Sequence, residues 1–150
     1  MTNEEKQLLL KDLCARIPYR TLVQLNPGAY NKPETCILTG VHGEQVHLNV
    51  DSDPFRIDHI KPYLRPMSSM TEEENKDAKD KFFDGSDHYD IDDIGEIYAD
   101  TYQPYTSVYT LSFARLSGYI DWLNSHYFDY LGLIEKGLAI EAPEGMYETE

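Results

Sequence analysis

Residues 21–60 read TLVQLNPGAYNKPETCILTGVHGEQVHLNVDSDPFRIDHI. Four runs in this stretch are rich in Val, Leu, Ile and Thr, the residues that favour β-strands: 21–26, 34–41, 44–50 and 55–60. Turn-forming residues separate the runs at three places: Asn26-Pro27-Gly28, His42-Gly43 and Asp51 to Pro54. The stretch predicts a small antiparallel sheet of about four strands, arranged as a meander or an SH3-like half-barrel.

The residues before this stretch have the spacing of an amphipathic helix. Thr2 or Asn3 can cap a helix over residues 2–16, and Pro18 ends it. Apolar residues recur along one face of this helix: Leu9, Leu10, Leu13 and Ile17. A short sheet needs a cover for one face, so we expect the helix to pack on it.

The segment after the fourth run, residues 60–66, contains Pro62 and Pro66. Proline cannot donate a hydrogen bond to a neighbouring strand, so this segment is predicted to be extended but not a central strand. Ser69 and Glu72, and likewise Thr71 and Glu74, match the pattern of a helix capping box. They predict a helix over about 71–83, weakly held because its middle is almost wholly polar.

A second C-terminal helix is predicted over residues 108–127. Its apolar stripe consists of Leu111, Leu116, Ile120 and Leu123, with Tyr119 and Trp122 beside it. Gly118 is expected to weaken this helix by about 1 kcal/mol relative to Ala. Beyond it, a helical turn over 131–136 is capped by Gly137 and followed by an extended tail.

These elements predict an α+β fold in a single domain spanning 1–150, with two sub-regions of different charge. Residues 1–66 hold eight acidic and eight basic side chains and are neutral. Residues 67–150 hold nineteen acidic and five basic side chains, and so carry the whole formal net charge of −14. A loop insert over 84–107 is expected within this acidic region.

The charge and the cysteine content limit the possible environment and partners. A strongly acidic chain makes nucleic acid an unlikely ligand, because phosphate binding requires Lys and Arg, and it disfavours anionic membranes. No apolar run approaches the length of a membrane span and no signal peptide is recognisable. Cys14 and Cys36 are expected to be two buried thiols, which together with these features predicts a cytoplasmic protein.

Motifs for catalysis and cofactor binding are not found in the sequence. Neither a nucleophile elbow nor a glycine-rich phosphate loop occurs, and the five histidines have no zinc-site spacing. We therefore expect a non-enzymatic protein without a cofactor, with its histidines as isolated surface imidazoles. An EF-hand calcium loop starting at Asp90 is not expected, because Ile94 and Thr101 occupy two positions that must supply oxygen ligands. An irregular divalent-cation site remains an alternative, formed by Asp84, Asp87, Asp90 and Asp92.

Two longer stretches carry a family resemblance: IKPYLRPMSSMTEEE at Ile60–Glu74 and DWLNSHYFDYLGLIEKGLAIEAPEGMY at Asp121–Tyr147. Both resemble segments of small proteins encoded in prophages and mobile elements of gut Bacteroidales. That family has no assigned activity, cofactor or catalytic residue. The resemblance therefore implies a genetic context, a phage or mobile element, and no chemistry.

The acidic insert is the best candidate for a functional surface. Seven acidic and no basic residues lie between Asp84 and Asp100, and five Tyr lie between Tyr89 and Tyr109. Because Tyr is enriched at protein interfaces, we expect a protein-contact surface here. Its candidate residues are Asp84, Asp87, Tyr89, Asp90, Asp92, Asp93, Tyr98, Tyr102 and Tyr105.

Two alternatives involve nucleic acid. The first is an acidic inhibitor that mimics nucleic acid to occupy a host protein, in which the acidic side chains of the 71–83 helix continue into the insert: Glu72, Glu73, Glu74, Asp77 and Asp80. The second is a small β-barrel that binds nucleic acid through basic and aromatic side chains: Arg56, Lys61, Tyr63 and Arg65.

Overall fold

A computed structural model describes residues 1–26, 32–50, 53–83 and 113–147, and the backbone of residues 89–91 and 97–99. The chain divides into two compact units. The first unit combines Met1–Arg65 with Leu131–Glu150, and the second unit is Pro66–Tyr130. The sequence places the tail from Leu131 in the acidic sub-region, but in the structure this tail folds with the neutral N-terminal region.

The fold class is α+β, as predicted. The helices are α1 (Asn3–Arg16), α2 (Glu72–Phe82) and α3 (Phe113–Ser125). Single 3₁₀ turns occupy Ile17–Tyr19, Ile57–His59 and Met67–Ser69. The strands are β1 (Leu22–Leu25), β2 (Glu34–His42), β3 (Gln45–Leu48), β4 (Phe55–Arg56), β5 (Ile60–Pro66), β6 (Tyr89–Ile91), β7 (Ile97–Ala99), β8 (Phe128–Asp129) and β9 (Ile140–Glu141). No helix in the described ranges is both long and apolar enough to cross a membrane.

The sheet of the first unit is mixed, where the sequence predicted an antiparallel one. Its strands follow the order β4-β3-β2-β1-β5 through antiparallel pairs, and β9 pairs with β5 in parallel. The first three predicted runs form β1, β2 and β3. The fourth, 55–60, forms only the two residues of β4 before a 3₁₀ turn interrupts it.

The expectation that residues 60–66 avoid a central position is wrong, because β5 lies between β1 and β9. The position of Pro62 in the two ladders explains how proline is accommodated. The β1–β5 ladder runs from Leu25 opposite Ile60 to Val23 opposite Pro62 and ends there. The parallel ladder with β9 begins only at Tyr63. Pro62 therefore stands at the end of both ladders, where a missing N–H is tolerated.

Helix α1 begins at the predicted cap. The Thr2 hydroxyl accepts the Glu5 N–H at 3.1 Å, and the Glu5 carboxylate accepts the Thr2 N–H at 2.8 Å. Leu9 and Leu13 are fully buried in the core of the first unit. They pack there with buried residues of the sheet: Val23, Leu38, Val46, Ile60 and Leu64.

The buried face of α1 includes Leu9, Leu10 and Leu13, as predicted, and extends to two charged residues. Asp12 and Arg16 are buried, whereas Cys14 is exposed. The prediction of two buried thiols is therefore wrong for Cys14 and confirmed for Cys36. Arg16 donates to both carboxylate oxygens of Asp12, from Nε at 2.8 Å and from Nη2 at 2.9 Å. This bidentate pairing offsets the cost of burying both charges. The periodicity of apolar residues alone does not reveal that a charged pair is buried on this face.

The C-terminal tail is held on the sheet by strand pairing and by one tyrosine hydroxyl. Gly137, at φ 72°, turns the chain in the left-handed region that favours glycine. β9 follows, and the Ala142 N–H donates to the Leu64 carbonyl at 2.7 Å. The Tyr147 hydroxyl accepts the Leu22 N–H at 2.9 Å and donates to the Tyr63 carbonyl, also at 2.9 Å. The tail therefore joins the two neighbouring strands β1 and β5.

Helix α2 is better anchored than its polar sequence predicts. The Thr71–Glu74 capping box forms as predicted. Ser69 instead lies in a 3₁₀ turn and donates to the Pro66 carbonyl at 2.7 Å. Ala78 and Phe83 are buried in the core of the second unit. This core also contains buried residues of α3 and β8: Tyr119, Trp122, Leu123 and Phe128.

The buried stripe of α3 agrees in part with the one expected, since Leu123 of the predicted stripe is buried. Tyr119, Trp122 and Leu123 are buried, whereas Ile120, predicted in the stripe, is exposed. Leu111 lies outside the described residues. Gly118 lies against the end of α2, because a Cβ there would stand 2.9 Å from Cε1 of Phe82. A side chain at position 118 would therefore require the Phe82 ring to shift, an effect separate from the low helix propensity of glycine.

Candidate functional site

The acidic insert contains two short strands, where the sequence predicted a loop. β6 and β7 pair antiparallel, with Tyr89 opposite Ala99, Asp90 opposite Tyr98 and Ile91 opposite Ile97. Asp90 and Tyr98, two of the predicted contact residues, are therefore direct cross-strand neighbours. Six predicted contact residues lie outside the described residues: Asp84, Asp87, Asp92, Asp93, Tyr102 and Tyr105.

Most of the second unit's charge lies in this insert. The unit holds fourteen acidic and four basic residues, a formal net charge of −10. Residues 84–100 contribute −7 of this, with no basic residue. Such a run of like charges is unfavourable in isolation, and a basic partner surface would relieve the repulsion.

The acidic residues of α2 do not form a continuous negative face. Glu74 accepts the Thr71 N–H at 3.1 Å in the capping box. Asp77 forms an ion pair with Lys81, with Oδ2 at 3.0 Å from Nζ. Lys76 and Lys79 lie on the same helix. The outward carboxylates that remain, Glu72, Glu73 and Asp80, are therefore interspersed with ammonium groups.

Asp77 also connects α2 to α3. The Trp122 indole N–H donates to Asp77 Oδ2 at 3.1 Å. The hydrogen bonds from Lys81 and from Trp122 lower the pKa of the Asp77 carboxyl below its usual value, because they stabilise the ionised form. No sequence signal indicated this contact, since the two residues are 45 positions apart.

His126 is a stacked, half-buried imidazole, where an isolated surface group was expected. Its ring centroid lies 4.1 Å from that of Trp122. His126 Nδ1 lies 2.9 Å from the Trp122 carbonyl oxygen, and the Ser125 hydroxyl donates to the same oxygen at 2.7 Å. The two adjacent side chains thus bind a carbonyl in the last turn of α3, which is a helix-end role. The Ser125 hydroxyl oxygen also lies 3.1 Å from His126 Nδ1. This contact between a serine and a histidine is accounted for by their shared role at the helix end.

One polar side chain in α3 is buried without compensation. Asn124 is 1% exposed, and neither atom of its side-chain amide has a hydrogen-bond partner in the described part of the chain. An unsatisfied buried amide costs about 1–3 kcal/mol. Sequence periodicity gave no indication of this buried amide.

The basic and aromatic residues proposed for nucleic-acid binding do not form one exposed strip. Tyr63 is buried, with 9% exposure, so its ring is not available for stacking on a base. Arg56 donates to Asp58 Oδ2 at 3.2 Å. Lys61 is exposed, and Arg65 is half-buried. The arrangement lacks the aromatic platform that single-stranded nucleic-acid binding uses.

Divalent-cation binding was predicted for Asp84, Asp87, Asp90 and Asp92. Three of these residues lie outside the described part of the chain, and only the backbone of Asp90 is described. Within the described residues, no three His, Cys, Asp or Glu side chains lie close enough together to hold a metal ion. The aspartate site in the insert therefore stays a prediction.

Comparison with protein-family models, with curated proteins and with solved structures gives no match to this chain. The resemblance to proteins of prophages and mobile elements accordingly stays a prediction.

Proposed function

We propose that this protein is a non-enzymatic binding protein whose second unit contacts a basic partner protein through the insert 84–107. The observation that carries the proposal is the charge distribution. Residues 84–100 hold seven acidic and no basic residues. By contrast, the carboxylates of α2 are interspersed with three lysines. Two of these carboxylates already have partners within the second unit, Glu74 in the capping box and Asp77 in an ion pair with Lys81. The attraction for a basic surface is thus concentrated in the insert.

The aromatic content of the insert supports a protein as the partner. Tyr provides a large contact area with few rotatable bonds, so that little entropy is lost when it is immobilised. The strands β6 and β7 hold Tyr89, Asp90 and Tyr98 on a paired backbone. A two-stranded ribbon this short is marginally stable by itself. Binding of a partner would therefore also stabilise the ribbon.

A capture experiment tests this function. The wild-type chain and a variant in which a short Gly-Ser linker replaces residues 84–107 are immobilised and exposed to the same host lysate. Circular dichroism establishes that the variant retains its helices. We expect the wild type to retain a basic protein that the variant does not. Retention of the same proteins by both, or of none by the wild type, would refute the proposal.

Three further expectations belong to this proposal. The protein would act in the cytoplasm, which is consistent with the free thiols of Cys14 and Cys36. It would originate from a phage or mobile element. The sheet of the first unit would curve as an SH3-like half-barrel and act as the scaffold for the contacts made by the second unit.

A further inference from the structure

The first unit contains a cavity of about 420 Å³ whose wall includes three lysines from three separate segments of the chain. Lys6 comes from the second turn of α1, Lys61 from β5, and Lys136 from the turn before β9. The cavity is open to solvent, and its volume lies within the range of about 300–1,000 Å³ found for small-molecule sites. The fold therefore gathers positive charge at one place on a chain whose net charge is −14.

The two carboxylates in the same wall, Glu5 and Asp58, offset the charge of these three lysines only in part. Glu5 accepts the Thr2 N–H at 2.8 Å within the capping box of α1. Asp58 is shared between two cations, Arg56 at 3.2 Å and Lys6 at 3.7 Å. The Lys6 contact is longer than a direct charge-assisted hydrogen bond, which is about 2.7–2.9 Å. One carboxylate thus serves two cations, and neither contact is short.

The other two lysines have no internal partner in the part of the chain that the structure describes. Neither Lys61 nor Lys136 forms an ion pair there. The side chain of Lys6 is only 18% exposed, so its ammonium has lost part of its hydration. An anion in the cavity would give Lys6 a second charge partner beside Asp58 and supply one to Lys61 and Lys136.

The available donors define the class of anion. The N–H of Gly137 donates to the Ile134 carbonyl at 3.0 Å, and that of Leu138 to the Leu133 carbonyl at 2.9 Å. The N–H groups of Gly137 and Leu138 are therefore occupied, and the lysine ammonium groups are the charged donors that face an anion in the cavity. Lysines bind phosphate as point charges, without the planar geometry that arginine imposes on a carboxylate. We propose that this cavity binds a small soluble molecule through its phosphate groups.

The test is isothermal titration calorimetry, in which inorganic pyrophosphate is added to the full chain at constant ionic strength. Citrate, a carboxylate anion of similar charge, is the ligand control. The site variant is Lys61→Gln with Lys136→Gln. The matched control variant is Lys11→Gln with Lys32→Gln, two exposed lysines of the first unit outside the cavity. Both double variants change the net charge from −14 to −16.

We expect pyrophosphate to bind the wild type and the control variant alike, and the site variant about tenfold or more weakly. Citrate should bind the wild type less tightly than pyrophosphate does. In NMR spectra of the wild type, the amide signals of Gly137 and Lys6 should shift on addition of pyrophosphate. This readout does not depend on how any variant folds. Equal weakening in both variants, equal binding of citrate, or an unshifted wild-type spectrum at millimolar pyrophosphate would overturn the proposal.

Discussion

Trp122 donates its indole N–H to Asp77 Oδ2 at 3.1 Å, and so joins α3 to α2 across 45 positions of the sequence. The same carboxylate oxygen lies 3.0 Å from Lys81 Nζ. Two donors on one oxygen make Asp77 an anchor of the helix pair. This contact connects the polar helix to the aromatic core of the second unit.

Asp77 should make stability depend on pH. Hydrogen bonds from Lys81 and Trp122 lower its pKa in the folded state below the usual 3.8. The ionised form therefore stabilises the fold at neutral pH, and this contribution is lost as the pH falls through the lowered pKa. We expect Asp77→Asn to lower the Tm at pH 7, with a difference from wild type that shrinks below about pH 4.

Thermal unfolding of the two proteins over this pH range checks the prediction. Asp80→Asn is the matched control on α2, because Asp80 is exposed and forms no ion pair within the described residues. The control should retain nearly the wild-type Tm at pH 7. A deficit for Asp77→Asn that stays constant down to pH 2, or an equal deficit for the control, would show that the carboxylate charge is not what stabilises the helix pair.

Removing one member of the buried Asp12–Arg16 pair should lower the free energy of unfolding strongly, whereas replacing both members with apolar residues should lower it much less. Arg16→Met leaves a buried carboxylate without its bidentate partner and is expected to cost about 3–5 kcal/mol in the free energy of unfolding. Asp12→Leu combined with Arg16→Met removes both charges and should recover most of this loss. Urea denaturation measures both values. If the double variant is less stable than the single one, the two side chains act independently of each other.

The effect of Gly118→Ala on stability should depend on the side chain at position 82. Gly118→Ala gains about 1 kcal/mol of helix propensity, but its Cβ would stand 2.9 Å from the Phe82 ring. We expect Gly118→Ala to destabilise the wild type and to stabilise a Phe82→Ala variant. A double-mutant cycle from urea denaturation measures this coupling. Stabilisation by Gly118→Ala in both backgrounds would mean that the ring moves aside freely.

Local signals in the sequence predicted the elements well. The capping residues Thr2 and Thr71 place the starts of α1 and α2 correctly, because a cap depends only on residues within one turn. The runs that form β1, β2 and β3 were likewise identified from composition and turn residues. Propensity and turn chemistry act over a few positions, and a sequence displays them directly.

Features that depend on distant partners were not predictable in the same way. Pro62 argued against a central strand, and only the staggered ends of its two ladders make the position acceptable. Cys14 was placed on the buried face of α1, but the Asp12–Arg16 pair occupies that face instead. The contact between Asp77 and Trp122 and the cavity with its three lysines arise from tertiary packing, which leaves no local pattern.

The proposed contact surface is tested most directly by the affinity of the captured partner for three proteins at about 50 and 200 mM salt. These are the wild type, a site variant with Asp90, Asp92 and Asp93 changed to Asn, and a control variant with Glu72 and Glu73 changed to Gln and Asp80 to Asn. Each variant removes three negative charges. We expect the wild-type affinity to fall severalfold with salt, the site variant to bind more weakly, and the control to bind like the wild type. Wild-type affinity in both variants, or equal weakening in both, would contradict a contact surface localised in the insert.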